Sequence, residues 1–569
     1  MKLFLGTFSC GIFNCVISSA LLCYSTSLYA RSVTTDNQVS PSSEIQDCPQ
    51  PLESGLIDSG VIKKININLK PIFDTSQPDE NNWLFRTANA LHIGTRPSVI
   101  DRDLLFTTGE PNNPRLIKET ERRLRNRPYV NAAQIISTLD CNGDSQVDVN
   151  VKEVWTFEPS IHLSRTGANT SFGYGIKDAN FLGLGKSLDL SRSSDETRSN
   201  TNLQYLDPNT GFANTELELN YGSNSDGFDH SIRFEKPFAS LQSTWTGGIN
   251  LEQLEQADRL YDAGEEVEQY LANRRLFEIF IGKRFFQTTE HSAHRLLFGT
   301  SSEDASYNAL ATTNNFNTIP DATEYIYPWL EYQYLSEKFI EAKNIQQINR
   351  VEDLNLGINF SIRLGYSSSE IPELNENIIF STALSKTLVL SDNQFLIADT
   401  SASGFLNGSD MHNTFLNGDL SYHWKNFDAG QFYVHARDSR VINPFGNNYL
   451  PIGGDTGLRG FPSNYQVGDH LQLFNIEQRV YGSNEVLSLF YLGGAVFFDG
   501  GQVWGESPTP QTESGWLRDV GFGLRLSNTR LGGKPDGGQS VVHLDVAFPL
   551  DPDREVDPVQ FLVKVKSSF

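Results

Sequence analysis

Residues 354–366 read LNLGINFSIRLGY, and apolar residues alternate with polar or small ones through all 13 positions. Leu354, Leu356, Ile358, Phe360, Ile362, Leu364 and Tyr366 share one face of an extended chain. Asn355, Gly357, Asn359, Ser361, Arg363 and Gly365 share the other. A period of two is a strand pattern, not a helical one. Soluble strands average about five or six residues, whereas a tilted strand crossing a bilayer needs roughly 9–11. A β-sandwich also alternates, but with shorter strands. The same texture covers nearly all of the chain after Trp155. Past the N-terminal stretch there is no run of about 18 apolar residues, which argues against a helical span. It does not argue against a membrane barrel, whose apolar residues sit at alternate positions.

The expected fold is therefore mainly β: a transmembrane antiparallel barrel over residues 158–569, preceded by a small α/β unit. At about 25 residues per strand and connection, that length predicts about 16 strands. Residues 1–30 read as a secretory signal, with Lys2 as the only charge, an apolar run from Leu3 to Leu22 and cleavage after Ala30. Residues 31–60 form a polar, flexible lead. Within 61–157, VIKKININLK (61–70) predicts a strand. RPSVIDRDLLF (96–106) and NPRLIKETERRLRNRPYV (113–130) predict helices, and Asn142-Gly143 predicts a hairpin turn. The order is β-α-α-β-β.

Removal of the signal leaves 44 basic against 69 acidic residues. Such a chain does not seek nucleic acid by bulk charge. Three of the five cysteines lie in the signal, so Cys48 and Cys141 remain and could pair in a disulfide in an exported protein. The acidic segment 251–271 is expected to be an exposed loop with strand edges. An outer-surface role there, such as divalent-ion bridging to lipopolysaccharide, is open.

The loop GGDTGLRGFPS (453–463) carries four glycines and a lone cation, Arg459. Its neighbours have a fixed phase. In HLQLFNIEQRVY (470–481), Phe474, Ile476 and Val480 oppose Asn475, Glu477 and Arg479. In LFYLGGAVFFDGG (489–501), Phe490, Leu492, Val496 and Phe498 oppose Gly493, Ala495, Phe497 and Asp499. With the apolar face in lipid, Glu477 and Asp499 point into the lumen. The loop is expected to fold inward so that Arg459 bridges both carboxylates, a task that suits a planar guanidinium better than an ammonium. The alternative is a surface turn with a solvated arginine.

GLRGF (457–461) with FFDGG (497–501) resembles the signature pair of the Omp85 superfamily. Leu458, Arg459, Gly460 and Phe461 match its loop motif, and Phe497, Asp499 and Gly501 match its F-x-D-x-G wall motif. GYGIKDANFLGLGKSLDL (173–190) resembles the early strands, VVHLDVAFPL (541–550) the penultimate strand, and 61–157 a POTRA domain. The resemblance implies a bacterial outer-membrane protein with its N-terminal domain in the periplasm. It implies a seam between the first and last strands, near 159–166 and 560–569, used by unfolded or nascent client proteins for insertion or translocation. Outer-membrane lipids, lipopolysaccharide included, would surround it. The chain ends FLVKVKSSF, with Phe561, Val563, Val565 and Phe569 on one face. Such a terminal aromatic is what outer-membrane barrels present to the general insertion machinery. A single POTRA-like unit distinguishes the chain from the general assembly protein and from two-partner secretion transporters.

No enzyme is expected, and no cofactor or metal. GLGKS (183–187) lacks the first glycine of a nucleotide-binding loop, because Asn180 stands there. DCNGDSQVDVNVKE (140–153) has Ser145 and Val151 where a calcium loop needs Gly and Glu. His291 and His294 fall on opposite faces of a strand. Two other functions stay open: a passive porin or solute channel, and an outer-membrane enzyme.

Overall fold

The structure is a computed structural model. It describes residues 54–55, 60–139, 143–166, 169–195, 198–211, 214–286, 291–310, 319–368, 377–454, 456–509, 514–530, 541–551 and 556–566. Side chains of 54–55, 160–166, 169–170 and 565–566 lie outside the description. So do Cys48, Cys141, Asn142 and Phe569, which places the disulfide, the hairpin-turn residue and the terminal aromatic outside it as well.

The N-terminal unit is a four-stranded sheet in the order Ser54–Gly55, Val130–Leu139, Ser145–Glu153, Ile62–Lys70. The last two are parallel and the others antiparallel. Part of the expected flexible lead is thus ordered, since Ser54 and Gly55 pair with Thr138 and Ser137 along the sheet edge. There are three helices, α1 (Trp83–Leu91), α2 (Pro97–Asp103) and α3 (Pro114–Arg125), of which α2 and α3 cover the sheet. Proline opens α2 and α3, where its missing N–H costs nothing. Val99, Ile100, Ile117 and Leu124 pack on Ile62, Ile135, Val147, Val149 and Val151. Each such burial contributes roughly 1.5–3 kcal/mol. α1 was not foreseen. Asn82 caps it by accepting the Phe85 amide at 2.9 Å, but Phe85 is its only buried residue, so no inward apolar stripe announces it.

The rest of the chain closes into one antiparallel barrel of 20 strands, from Phe157–Thr166 to Gln560–Lys566. The expectation of about 16 was low because several connections are two residues long. One of them overturns the acidic loop at 251–271. Trp245–Asp262 and Glu265–Phe286 are two long paired strands joined by Ala263 (φ 51°) and Gly264 (φ 86°), the positive-φ pair of a tight hairpin. Some of their acids are matched within the sheet. Arg274 pairs with Asp258, and Arg259 meets Glu266 at 3.0 Å.

Outward positions are apolar. On Glu265–Phe286, Phe277, Ile279 and Ile281 are exposed, and Glu278 on the opposite face meets Arg363 across the lumen side at 2.8 Å. The 354–366 alternation proves to straddle two elements. The barrel strand is Ile358–Ser367, while Leu354 belongs to Val351–Asn355 and is buried away from the outer face. The break lies at Gly357, whose amide donates to Asn355 Oδ1 at 2.7 Å, and a Cβ there would stand 1.7 Å from the Ser336 carbonyl oxygen. Alternation continues through the corner because both pieces need an apolar side.

Val351–Asn355 pairs with Phe339–Lys343 to make a hairpin inserted between barrel strands. Its tip enters the lumen. Ile348 is buried with Tyr481, Ala495 and Val541, and Gln431 Nε2 donates to the Asn344 carbonyl at 2.8 Å. The N-terminal unit covers the same mouth. Arg125 reaches Asp353 at 3.0 Å, Arg123 reaches Asn214 at 3.1 Å, Arg530 reaches Glu80 at 2.7 Å, and Arg96 N donates to Gly183 O at 2.9 Å.

Candidate functional site

The segment between the strands Gly430–Ile442 and His470–Val486 turns back into the barrel from the end opposite the N-terminal unit. Leu450–Ile452 and Gln466–Gly468 pair to form its neck. Beyond the neck, Leu458 N donates to Gly453 O at 3.0 Å and Phe461 N to Leu458 O at 3.2 Å, which compacts the tip. Leu458 and Phe461 are wholly buried, together with Ile452, Tyr465, Leu473, Val503 and Leu517. An apolar underside therefore seats the loop on the wall.

The cation sits above that seat. Arg459 Nε and Nη2 donate to Asp499 Oδ2 and Oδ1, both at 2.7 Å, in a bidentate fork. Its Nη1 meets Glu477 Oε1 at 2.8 Å. Both carboxylates are buried, Asp499 completely. The guanidinium also lies 3.4 Å from the centre of the Phe497 ring, so the wall motif contributes a π face as well as an acid. Gly460 N donates to Asp519 Oδ2 at 2.9 Å. The glycine is required by space, since a Cβ at 460 would approach Asp519 Cβ to 2.5 Å. Gly501 does the same from the wall side, where a Cβ would meet Ile452 Cδ1 at 2.6 Å. The structure thus gathers Leu458, Arg459, Gly460, Phe461, Glu477, Phe497, Asp499 and Gly501 at one place.

Several partners were missed. Asn475 Nδ2 donates to the Gly457 carbonyl at 2.7 Å and to Asp499 Oδ1 at 2.8 Å, pinning loop and wall acid together. Asp519 stands directly across the ladder from Asp499. Arg479 holds Glu477 at 2.7 Å, and Arg525 holds Asp545, which lies 4.0 Å from Arg459. The cluster sets the guanidiniums of Arg459, Arg479 and Arg525 among the carboxylates of Glu477, Asp499, Asp519 and Asp545. The signal for Asp519 was present: in DVGFGLRL it shares a face with Gly521, Gly523 and Arg525. Removing one member of such a buried set leaves its partners uncompensated.

At the C-terminal strand Phe561 is exposed and Leu562 is buried. Among the described residues, the first and last strands pair at Leu562↔Thr166 and Val563↔Arg165. Lys564 Nζ donates to Gly454 O at 2.6 Å, so the last strand also holds the loop.

No family profile and no curated protein sequence matches the chain. Among solved structures it is similar to BamA from Haemophilus ducreyi lacking POTRA domains 1–3, at 14% identity over 88% of this chain and 84% of that one, with a TM-score of 0.36. It is also similar to CdiB from Acinetobacter baumannii (14%, 89% and 74%, 0.42) and to CdiB from Escherichia coli (12%, 89% and 76%, 0.47). By its own strand order and registers the chain is a closed antiparallel β-barrel, and it is in fold that it is similar to BamA and CdiB.

Proposed function

We propose that this chain is an outer-membrane barrel of Omp85 type that assists insertion of proteins into, or their translocation across, the outer membrane. Residues 61–157 act as a POTRA-like periplasmic domain that receives unfolded clients. Arg459, with Asp499 and Glu477, holds the inward loop and supports barrel closure. The observation that carries the reading is the brevity of the seam. Among the described residues, two register pairs join first and last strands, against full-length pairing between neighbours such as Trp245–Asp262 and Glu265–Phe286. A short ladder leaves backbone donors and acceptors free to template an incoming strand. No nucleotide is consumed; client folding supplies the free energy. A porin would need an open lumen, whereas segments enter this one from both ends.

A photo-crosslinker at Val563 tests the proposal in cells. Trapped nascent barrels support an insertase, and one dedicated secreted protein supports a transporter. Recovery of neither, with steady ion conductance in planar bilayers, replaces the proposal with a channel.

A further inference from the structure

α1 presents its apolar residues outward. Phe85, Ala88 and Asn89 face the unit: Phe85 stacks on Phe73 at 4.0 Å, and Asn89 bonds the Phe73 backbone. At 100° per residue, Trp83, Thr87, Leu91 and Leu84 span an arc of about 100° on the side away from Phe85 and Asn89. Trp83 is 72% exposed and Leu91 69%. In water that arrangement is unfavourable by roughly 25 cal/mol per Å² of apolar surface.

The helix lies along the barrel rim. Just after it, Gly94 lies against Gly183, in the turn between the second and third barrel strands. On its other side Leu489, in the turn joining His470–Val486 to Phe490–Trp504, packs with Phe73 and Phe85. Between those two turns run the first and last strands, so α1 passes beneath the seam. Each flanking turn carries an exposed leucine at positive φ, Leu182 (55°) and Leu487 (56°). Asn or Gly is the ordinary occupant of that conformation at an aqueous tip. Both leucines instead hold an apolar side chain exposed at the rim, beside the outward apolar residues of the barrel.

From this we propose that α1 is a membrane-surface helix. Trp83, Leu84 and Leu91 seat in the lipid leaflet beneath the seam, at the headgroup–acyl boundary about 5–10 Å deep, flanked by Leu182 and Leu487. The occupant is phospholipid, not protein. The unit carries as many basic as acidic residues to within one (13 Lys and Arg, 12 Asp and Glu over 61–157), so anionic headgroups are not repelled. The inference rests on the membrane placement proposed above.

The test uses the full chain folded into phosphatidylethanolamine–phosphatidylglycerol vesicles, with and without lipid brominated near the glycerol end of the acyl chain. Subtracting the Trp83→Phe spectrum from wild type isolates Trp83 among the seven tryptophans. We expect bromolipid to quench that difference emission at least about twofold, as the boundary depth requires. Outward Trp245 and Trp424 on the barrel, read as the loss in matching Phe variants, are the internal control. If the controls are quenched and Trp83 is not, the helix proposal is wrong and the barrel placement stands. If none is quenched, the membrane placement itself fails. Shielding of Trp83 only after an unfolded client is added, and not by lipid, also overturns the proposal. The pair Leu84→Ser with Leu91→Ser should raise acrylamide access to Trp83 while leaving heat-modifiable mobility intact; unchanged access would show that the face does not seat as a unit.

Discussion

At one end of the lumen the segment 443–469 is locked to the wall by guanidinium–carboxylate forks; at the other, the hairpin Phe339–Asn355 is held to the wall by neutral groups. Its tip is largely self-contained. Glu352 accepts the amides of Ile345 and Gln346, both at 2.9 Å, and Gln347 at 3.2 Å. Against the wall it uses backbone carbonyls, as where Asn349 Nδ2 meets Gly482 O at 2.6 Å, and the burial of Ile348. Its charged contact, Asp353 with Arg125, points to the N-terminal unit instead. A buried charge set is all-or-none, because losing one member strands the rest. A neutral plug yields by degrees. The contrast suggests a fixed lock at one end and, at the other, a plug that travels with the N-terminal unit.

The largest expected effect is on the lock. Arg459→Ala should destabilise barrel closure by about 3–5 kcal/mol, lessened where water reaches the lumen, with Arg459→Lys intermediate. Heat-modifiable mobility and protease access read it, and wild-type behaviour of both variants would break the comparison. Ile348→Ala should cost about 2–3 kcal/mol and raise bilayer conductance without loosening segment 443–469. Loosening of both ends together would mean one coupled plug rather than two. Gly460→Ala comes next, at about 1–2 kcal/mol in urea titration, because the added methyl must push Asp519 aside.

The smallest effect concerns pH at the N-terminal mouth. Burial pushes the Glu337 carboxyl up to about 7, with Glu119 adding to the shift and Arg122, Arg115 and Arg295 opposing it. The docked state therefore holds a proton that the undocked state has released above its ordinary value of 4.5. Docking of the unit should weaken as pH rises from about 4.5 to about 7, and Glu337→Gln should flatten that slope. Hydrogen exchange of α3 measures it; an unchanged slope in the variant would place the titration elsewhere.

Legibility followed the solvent. Glu477, Asp499 and their apolar opposites were readable because period two leaves an acid on the lumen face when its neighbours face outward. Arg459 followed, since a cation on a pliable loop beside those acids has a near partner. The hairpin was not readable. Leu354 is apolar because it packs inside the barrel, and Ile358 because it faces out, yet on paper they continue one pattern. α1 was hidden for the inverse reason, with its apolar side turned away from the fold. Asp519 was visible as an inward residue, but its service to the Gly460 amide depends on a loop conformation that strand phasing does not specify.

Lys564 gives the barrel a mechanical property. Because its ammonium grips Gly454, five residues before Arg459, sideways travel of the final strand must stretch a tether rooted three strands away, in Phe490–Trp504. The stiffness of the joint then depends on this strut as well as on its ladder, and a single amine sets how far the joint yields before the deeper anchor bears load.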